Sequence, residues 1–431
     1  MVALFKALQV ILALSILIIV HESGHFLFAK LFGIRVEKFY LFFDVGGKAL
    51  ARWHWGETEF GIGWLPFGGY CKIAGMVDES VDMAQLRREP QPWEFRTHPA
   101  WHRLFVLAGG VLFNFIFAVI AYSAICGIWG TAYISNSDSA IYPNDLAREM
   151  GFRTGDRILR LDDYEPEDFG MLQADLARRE VRVATVLRGQ DTVRLYMDQS
   201  MIGQVLSSPL MFDLAMPFVV DSVSSAANAG VLAKGDAVLQ IDGHDTRYLQ
   251  DASPILAEHA GQTVTATVRR GCVISEVPLQ VDTSGRIGIF VTPPSVKRQS
   301  YDALSAIPAG LRKTGSTIKG YVSDLKMVFR PSTGAYKSVG SFIAIGQVFP
   351  KTWDWYQFLN ILALLSIMLG VVNLIPIPGL DGGHILFTLY EMISGRKPSD
   401  KFLYVMQLIG MVLLFALMFL AFGNDIMRLI R

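Results

Sequence analysis

Four stretches of this 431-residue chain, residues 2–32, 104–129, 356–378 and 402–422, are each long and apolar enough to cross a bilayer. At ~1.5 Å of rise per residue, about 20 apolar residues cover the ~30 Å of hydrocarbon. Nothing else in the sequence constrains the fold as strongly, because lipid offers the backbone no hydrogen-bond partners and only helices or closed barrels can span it. The expected class is therefore a membrane α-helical protein with four transmembrane helices. Composition agrees, with 52% hydrophobic and 18% charged residues. The 39 Lys+Arg cancel the 39 Asp+Glu, so no global field points to nucleic acid, and no nucleic-acid partner is expected. Cys71, Cys126 and Cys272 stand far apart, which indicates neither a thiolate zinc site nor a disulfide framework. The first stretch starts like a signal peptide, with Lys6 before an apolar run. It lacks an Ala-x-Ala-like cleavage site, runs on into His21 and Glu22, and is expected to be retained.

Basic residues set the expected orientation. Arg35, Lys38, Lys48, Arg52, Lys72, Arg87, Arg88 and Arg96 lie between the first two stretches, and Arg396, Lys397 and Lys401 between the last two. Both loops are expected on the cytoplasmic side. The long segment from about Gly130 to Trp355, and both termini, then lie on the other side of the membrane.

That long segment reads as soluble and repetitive. Gly155-Asp156-Arg-Ile158-Leu159-Arg-Leu161-Asp162 returns about eighty residues later as Gly235-Asp236-Ala-Val238-Leu239-Gln-Ile241-Asp242. Gly-Asp makes a tight turn, the aliphatic residues suit a half-buried strand, and Asp-Asp or Asp-Gly closes it as a hairpin would. Two copies mean tandem modules. The pattern resembles the PDZ domain in its bacterial permuted form, which implies two inserted α+β PDZ-like domains able to bind a peptide ligand at an open sheet edge. The bland alternative is a pair of spacers. Beyond them, residues 300–329 place apolar residues at helical spacing among Lys and Arg, as expected of a helix on the membrane surface or packed on the second module.

The chemistry concentrates in His21-Glu22-Ser23-Gly24-His25. His-Glu-x-x-His on a helix puts two imidazoles on one face, one turn apart, where they can share Zn²⁺, with the glutamate beside them as a base for the water that the metal activates. His21 lies ~28 Å along a helix from Val2, in the cytoplasmic half of the bilayer. Catalytic zinc takes three protein ligands and leaves one position open, so a third must come from elsewhere. Asn373-Leu-Ile-Pro-Ile-Pro-Gly-Leu-Asp381-Gly-Gly-His384 breaks a spanning stretch with prolines and glycines, and irregular backbone at that depth is tolerated only against protein or a wet cavity. Asp381 is the best candidate and His384 the reserve, with His384 otherwise an outer residue of the site.

Taken together, these features resemble the site-two protease family of intramembrane zinc metalloproteases, especially its bacterial regulator-of-sigma-E type, over essentially the whole chain. The resemblance implies His21, His25 and Asp381 as metal ligands, Glu22 as catalytic base and Asn373 as a residue that holds the substrate backbone. It also implies a membrane-associated β-hairpin in Phe60-Gly61-Ile-Gly63-Trp-Leu-Pro-Phe-Gly68-Gly69-Tyr70, whose edge pairs with an unwound substrate, making Gly61, Gly63, Gly68 and Gly69 substrate-binding candidates. Where the family has Gly-Pro-x-x-Asn this chain has Gly110-Val111-Leu-Phe-Asn114, with Asn114 a second outer-residue candidate. Before the third span the family's Gly-Pro is replaced by Ser338-Val339-Gly340-Ser341.

The expected plan is a first transmembrane helix (1–32), a cytoplasmic-side loop with the hairpin (33–100), a second transmembrane helix (101–130), PDZ-like modules (131–210 and 211–295), an amphipathic or membrane-surface region (296–355), a third transmembrane helix with the Leu-Asp-Gly loop (356–384), and a fourth with the C-terminus (385–431). The implied enzyme sits in a bacterial inner membrane with its PDZ-like modules extracytoplasmic, and cuts single-pass membrane proteins, an anti-sigma factor or remnant signal peptides, within the lipid bilayer. A membrane-tethered peptide-binding scaffold that no longer cuts would be expected to lack Glu22 or Asp381. An ion transporter would be expected to show more spans and an inverted repeat.

Overall fold

The computed structural model describes residues 2–76, 89–330 and 342–430. Arg87, Arg88 and the stretch from 331 to 341, with its Ser338–Ser341 departure, lie outside the described residues. The chain forms two units, Met1–Thr131 with Ser300–Arg431, and Ala132–Gln299.

The first unit is built on helices α1 (Val2–Leu31), α2 (Ala100–Trp129), α3 (Ala303–Val328), α4 (Phe342–Val348), α5 (Trp355–Leu374), α6 (Asp381–Ser394) and α7 (Asp400–Ile430). Four of these, Val2–Leu31, Ala100–Trp129, Trp355–Leu374 and Lys401–Asp425 within α7, are long and apolar enough to cross a membrane. Their outward faces carry bare apolar side chains such as Leu8, Leu27, Ile120, Val412 and Phe419, a continuous surface that water would not tolerate and hydrocarbon does. The protein is an integral membrane protein.

Small residues set the closest approach within this bundle. A side chain on Gly24 of α1 would overlap the Gly109 carbonyl of α2, and one on Gly109 would lie 2.6 Å from the Gly24 oxygen. Close backbone contact of this kind is how helices associate where lipid removes the hydrophobic drive. Helix α5 stops at Leu374 because Ile375 precedes Pro376 and is driven extended, with φ −63° and ψ 135°.

Helix α3 packs within the helical unit. Its small face of Ala306, Ala309 and Gly310 lies on α2, where a side chain on Gly310 would meet the Ser123 backbone nitrogen at 2.5 Å. Further along, Ile318, Tyr321, Val322 and Leu325 join a cluster with Ala118 and Ile125 of α2 and Ala363 and Ile367 of α5. Asp302 and Ser305 form a capping box at its start.

Between α1 and α2 lies a four-stranded sheet of β1 (Val36–Phe43), β2 (Ala49–Trp55), β3 (Thr58–Gly63) and β4 (Leu65–Ile73), in the order β2-β3-β1-β4. The expected hairpin over 60–70 is therefore not one. β3 pairs with β1 in parallel, β4 pairs with β1 antiparallel, and β1 separates them. The chain crosses from β3 to β4 over the end of β1, and Gly63 permits it, since a side chain there would overlap the Phe43 carbonyl. The local hairpin is β2–β3, closed at Gly56 and Glu57.

The second unit contains two sheets of three or more strands, each over its own core. Arg157–Leu161, Val183–Arg188 and Asp191–Tyr196 form one; Ala237–Ile241, His244–Asp245, Thr263–Arg270 and Val273–Gln280 form the other. The first core includes Met211 and Phe212, and Phe212–Leu214 pairs with Ile141–Pro143, so the first module runs past the expected boundary at 210. The repeat is legible in three dimensions. Gly155 and Gly235 both take φ +88°, and the buried Asp156 and Asp236 that follow accept from Arg153 N and Ala233 N respectively. Each aspartate also takes a two-pronged guanidinium, Arg188 on Asp156 at 2.9 and 2.8 Å and Arg270 on Asp236 at 2.8 and 2.6 Å. The Arg270 hydrogen bonds hold the Asp236 carboxyl below the usual carboxylate range. That pair thus stabilises the fold above the unfolded carboxyl's range, and its contribution fades as pH falls through the depressed native value. Removing the guanidinium leaves the buried Asp156 carboxylate unpaired, so Arg188→Ala is expected to destabilise its module by about 3 kcal/mol. Amide hydrogen exchange across residues 132–214 of the intact protein checks this.

Candidate metal centre

Helix α1 brings His21 and His25 one turn apart on the face it turns to α2. Their rings meet edge to face at 85°, and both are nearly buried. Asp381, the first residue of α6, reaches them from the broken third span: its Oδ2 lies 3.2 Å from His21 Nε2 and 3.4 Å from His25 Nε2, and the two Nε2 atoms are 3.3 Å apart. Ligands held 2.0–2.2 Å from a tetrahedral centre sit roughly 3.3 Å from one another. The three separations are those of one face of such a tetrahedron.

Hydrogen bonding points the same way. His25 Nδ1 lies 2.8 Å from the Val106 carbonyl, which can only accept, so Nδ1 carries the proton and Nε2 a lone pair. His21 Nδ1 lies 3.0 Å from the side-chain amide of Asn114, whose Oδ1 is buried and otherwise unpartnered. A half-turn of that amide gives Oδ1 a donor in Nδ1–H and leaves the His21 Nε2 lone pair free as well. Asp381 Oδ2 is buried, and its polar neighbours are the two Nε2 atoms. Three potential ligand atoms thus converge within 4.8 Å of one another, an arrangement that a dication satisfies.

Room for this arrangement comes from Gly110 of α2. A Cβ there would lie 2.5 Å from His25 Nε2 and 2.6 Å from His21 Cε1. Gly110→Ala is expected to push the imidazoles apart and weaken metal binding at least ten-fold, measurable by competition of the purified protein with a chromophoric chelator.

A cavity of about 690 Å³ opens beside the three ligands. Glu22 lines it and accepts the Cys71 backbone N–H of β4. Met411, Leu414, Phe415 and Met418 of α7 give it an apolar lining, and Gly69–Ile73 of β4 also border it. Lys38 and Asp44 extend its polar side. Burial alone would raise the Asp44 carboxyl, but hydrogen bonds from the Tyr70 hydroxyl at 2.8 Å and Lys38 at 3.1 Å hold it below its usual range, so that side stays charged.

The remaining site candidates divide. Asn373, in the last turn of α5, lies 3.3 Å from His21 Nε2. His384 lines the same cavity but is not one of the three clustered side chains, and its Nε2 lies 3.1 Å from Gln407 Oε1 of α7. Gly68 and Gly69 are on β4, an edge strand among the described residues, whereas Gly61 and Gly63 are on β3, paired on both sides. Sequence reasoning named Gly110 only as part of the Gly110–Asn114 motif, without its role beside the imidazoles, and missed Val106, whose signal was only its helical spacing of eight residues before Asn114.

A His-Glu-x-x-His helix and a carboxylate from a broken span, set among membrane-crossing helices, define a membrane-embedded metallopeptidase. The chain belongs to peptidase family M50, whose family model matches residues 9–417. Among similar proteins, a Vibrio cholerae chain described provisionally as a zinc metalloprotease is 29% identical over 457 residues, covering 99% of each chain. The regulator of sigma-E protease RseP of Salmonella typhimurium and the protease RseP of Yersinia pestis are each 29% identical over 451 residues, covering 97% of this chain and 98% of the relative. The protein is a metalloendopeptidase.

Proposed function

We propose that this enzyme is a zinc-dependent intramembrane protease that cuts the spanning segment of single-pass membrane proteins. The convergence of His21, His25 and Asp381 beside a cavity bordered by an open strand edge carries the reading. His21 Nε2, His25 Nε2 and Asp381 Oδ2 would hold the zinc. When bound, zinc supplies a Lewis acid that polarises a carbonyl and lowers the pKa of water to about 7.

The protein's own groups do the rest. Glu22 takes the proton from the attacking water and returns it to the departing amine, a general-base and general-acid role worth ~10²–10⁴-fold. A helix hides its peptide bonds, so a substrate must be unwound to be cut. Since the Cys71 N–H points away from β1 toward Glu22, Gly69, two residues back, directs its backbone polar groups outward too. That edge offers an unwound segment the hydrogen bonds it has lost, with Gly69 flanking the scissile region and Asn373 available to its carbonyl. The apolar α7 wall receives the side chains.

The two modules of the second unit resemble PDZ domains, and on this reading lie on the extracytoplasmic side of a bacterial inner membrane, where they screen partners or bind their trimmed ends. The name of the Salmonella relative, a regulator of sigma-E protease, supports a signalling role, for which an anti-sigma factor is the substrate we propose; remnant signal peptides are a second substrate class. Incubating the detergent-purified protein with a tagged single-pass substrate tests the core of this. Mass spectrometry is expected to locate cleavage inside the apolar segment, lost on chelation and restored by zinc. Cleavage only outside the segment, or unaffected by chelation, overturns the reading.

A further inference from the structure

One face of α2 touches every part of the metal centre. Asn114 meets His21, Gly110 leaves space for both imidazoles, and Val106 accepts from His25 Nδ1. One more turn toward the start of α2 along that face comes Arg103, three residues before Val106. Its Nη2 donates to Glu391 Oε1 of α6 at 2.5 Å, its Nε donates to the His98 carbonyl at 3.0 Å, and the guanidinium lies over the Phe95 ring at 5.9 Å. The two charged side chains are only 8% and 17% exposed.

Helix α6 is 14 residues long and begins with Asp381. Glu391 lies ten residues on, ~15 Å down the helix axis. Nothing about peptide-bond cleavage uses a charge at that distance. A buried ion pair adds little net stability over an apolar one, and its best-attested use is to specify register. Here the two histidines are fixed to α2 by Gly24 against Gly109 and by the Val106 and Asn114 contacts, while the third ligand belongs to a different helix. The start of α6 is packed on the 375–380 loop through Gly382 and Gly383, and holding the rest of α6 against the same α2 face fixes the direction in which Asp381 Oδ2 approaches the two Nε2 atoms at 3.2–3.4 Å.

We propose that the Arg103–Glu391 ion pair is a positioning device that locks the axial and rotational register of α6 on α2, and so holds Asp381 in the ligand set. Arg103 and Glu391 touch neither metal nor substrate; they act through Asp381. The inference rests on the metal-site reading of His21, His25 and Asp381. A lysine at 103 would keep the charge but lose the second donor to His98, so it should hold the register less firmly than arginine and more firmly than a neutral residue.

Cobalt(II) in place of zinc provides a spectroscopic readout in the detergent-purified full-length protein. Wild type is expected to take up one Co²⁺ with the intense visible bands of a four-coordinate site. Glu391→Gln and Arg103→Gln are expected to weaken Co²⁺ affinity by about 10–100-fold, the range typical of residues that orient a ligand, and to shift those bands. Arg103→Lys is expected to fall between them and wild type. Folded Glu391→Gln with wild-type affinity and an unshifted spectrum overturns the proposal, whatever its thermal stability. If the neutral variants do not fold, Arg103→Lys decides it: wild-type affinity and spectrum there overturn it equally. Wild type without a four-coordinate cobalt spectrum would instead remove the metal-site reading beneath it.

Discussion

Replacing Glu22 with glutamine is expected to lower the rate of substrate cleavage by a factor on the order of 10²–10⁴ while leaving the metal content of the purified protein unchanged. Glutamine matches the size of the carboxylate and keeps an oxygen to accept the Cys71 N–H, so the packing of α1 against β4 survives. What disappears is the ability to take a proton from water and pass it to the leaving amine. Co-expression of a tagged single-pass protein with wild type and with Glu22→Gln, followed by a search for the short fragment, separates the two. Equal fragment from both would assign the cleavage to another protease.

Removal of Asp381 should act on the other half of the chemistry. Two imidazoles alone leave a zinc ion with half of its usual four positions filled by protein, and no protein charge directly offsets it. Asp381→Ala is expected to reduce bound zinc from near one per chain to a small fraction and to abolish cleavage, a loss larger than the ~10–100-fold typical of outer-residue changes. Metal analysis after exhaustive dialysis measures it. Since His384 is engaged with Gln407, His384→Ala is expected to retain its zinc, and the contrast between the two variants identifies the third ligand.

That His21, His25 and Asp381 would come together was legible in sequence for a definite reason. Residues four apart on a helix must share a face, and a broken span must have something polar beside it, so local rules were enough to bring His21, His25 and Asp381 forward. The residues that shape the surroundings were not legible, because each depends on a partner distant in the chain. Gly110 matters only because α1 crosses α2 there, and Arg103 only because Glu391, 288 residues away, comes beside it. The sheet misled for the same reason. Gly61 to Gly69 carries the glycines and proline of a turn, and nothing local reveals that β1, some twenty residues earlier, separates the two strands it joins. Helix α3 has an apolar face, but an apolar face does not name its partner; the small residues Ala306, Ala309 and Gly310 were the available sign that another helix would press close.

The contact between α2 and α3 also shapes what the architecture can do without. The chain leaves α2 for the second unit just past Trp129 and comes back at Ser300, and there Ala306 lies against Cys126 while the Thr131 and Tyr301 hydroxyls are 3.2 Å apart. Outgoing and returning strands thus emerge side by side, like the two ends of a loop of cord drawn through a single eyelet. A segment inserted through such a single paired exit can change in length without changing the spacing of the two helices it joins.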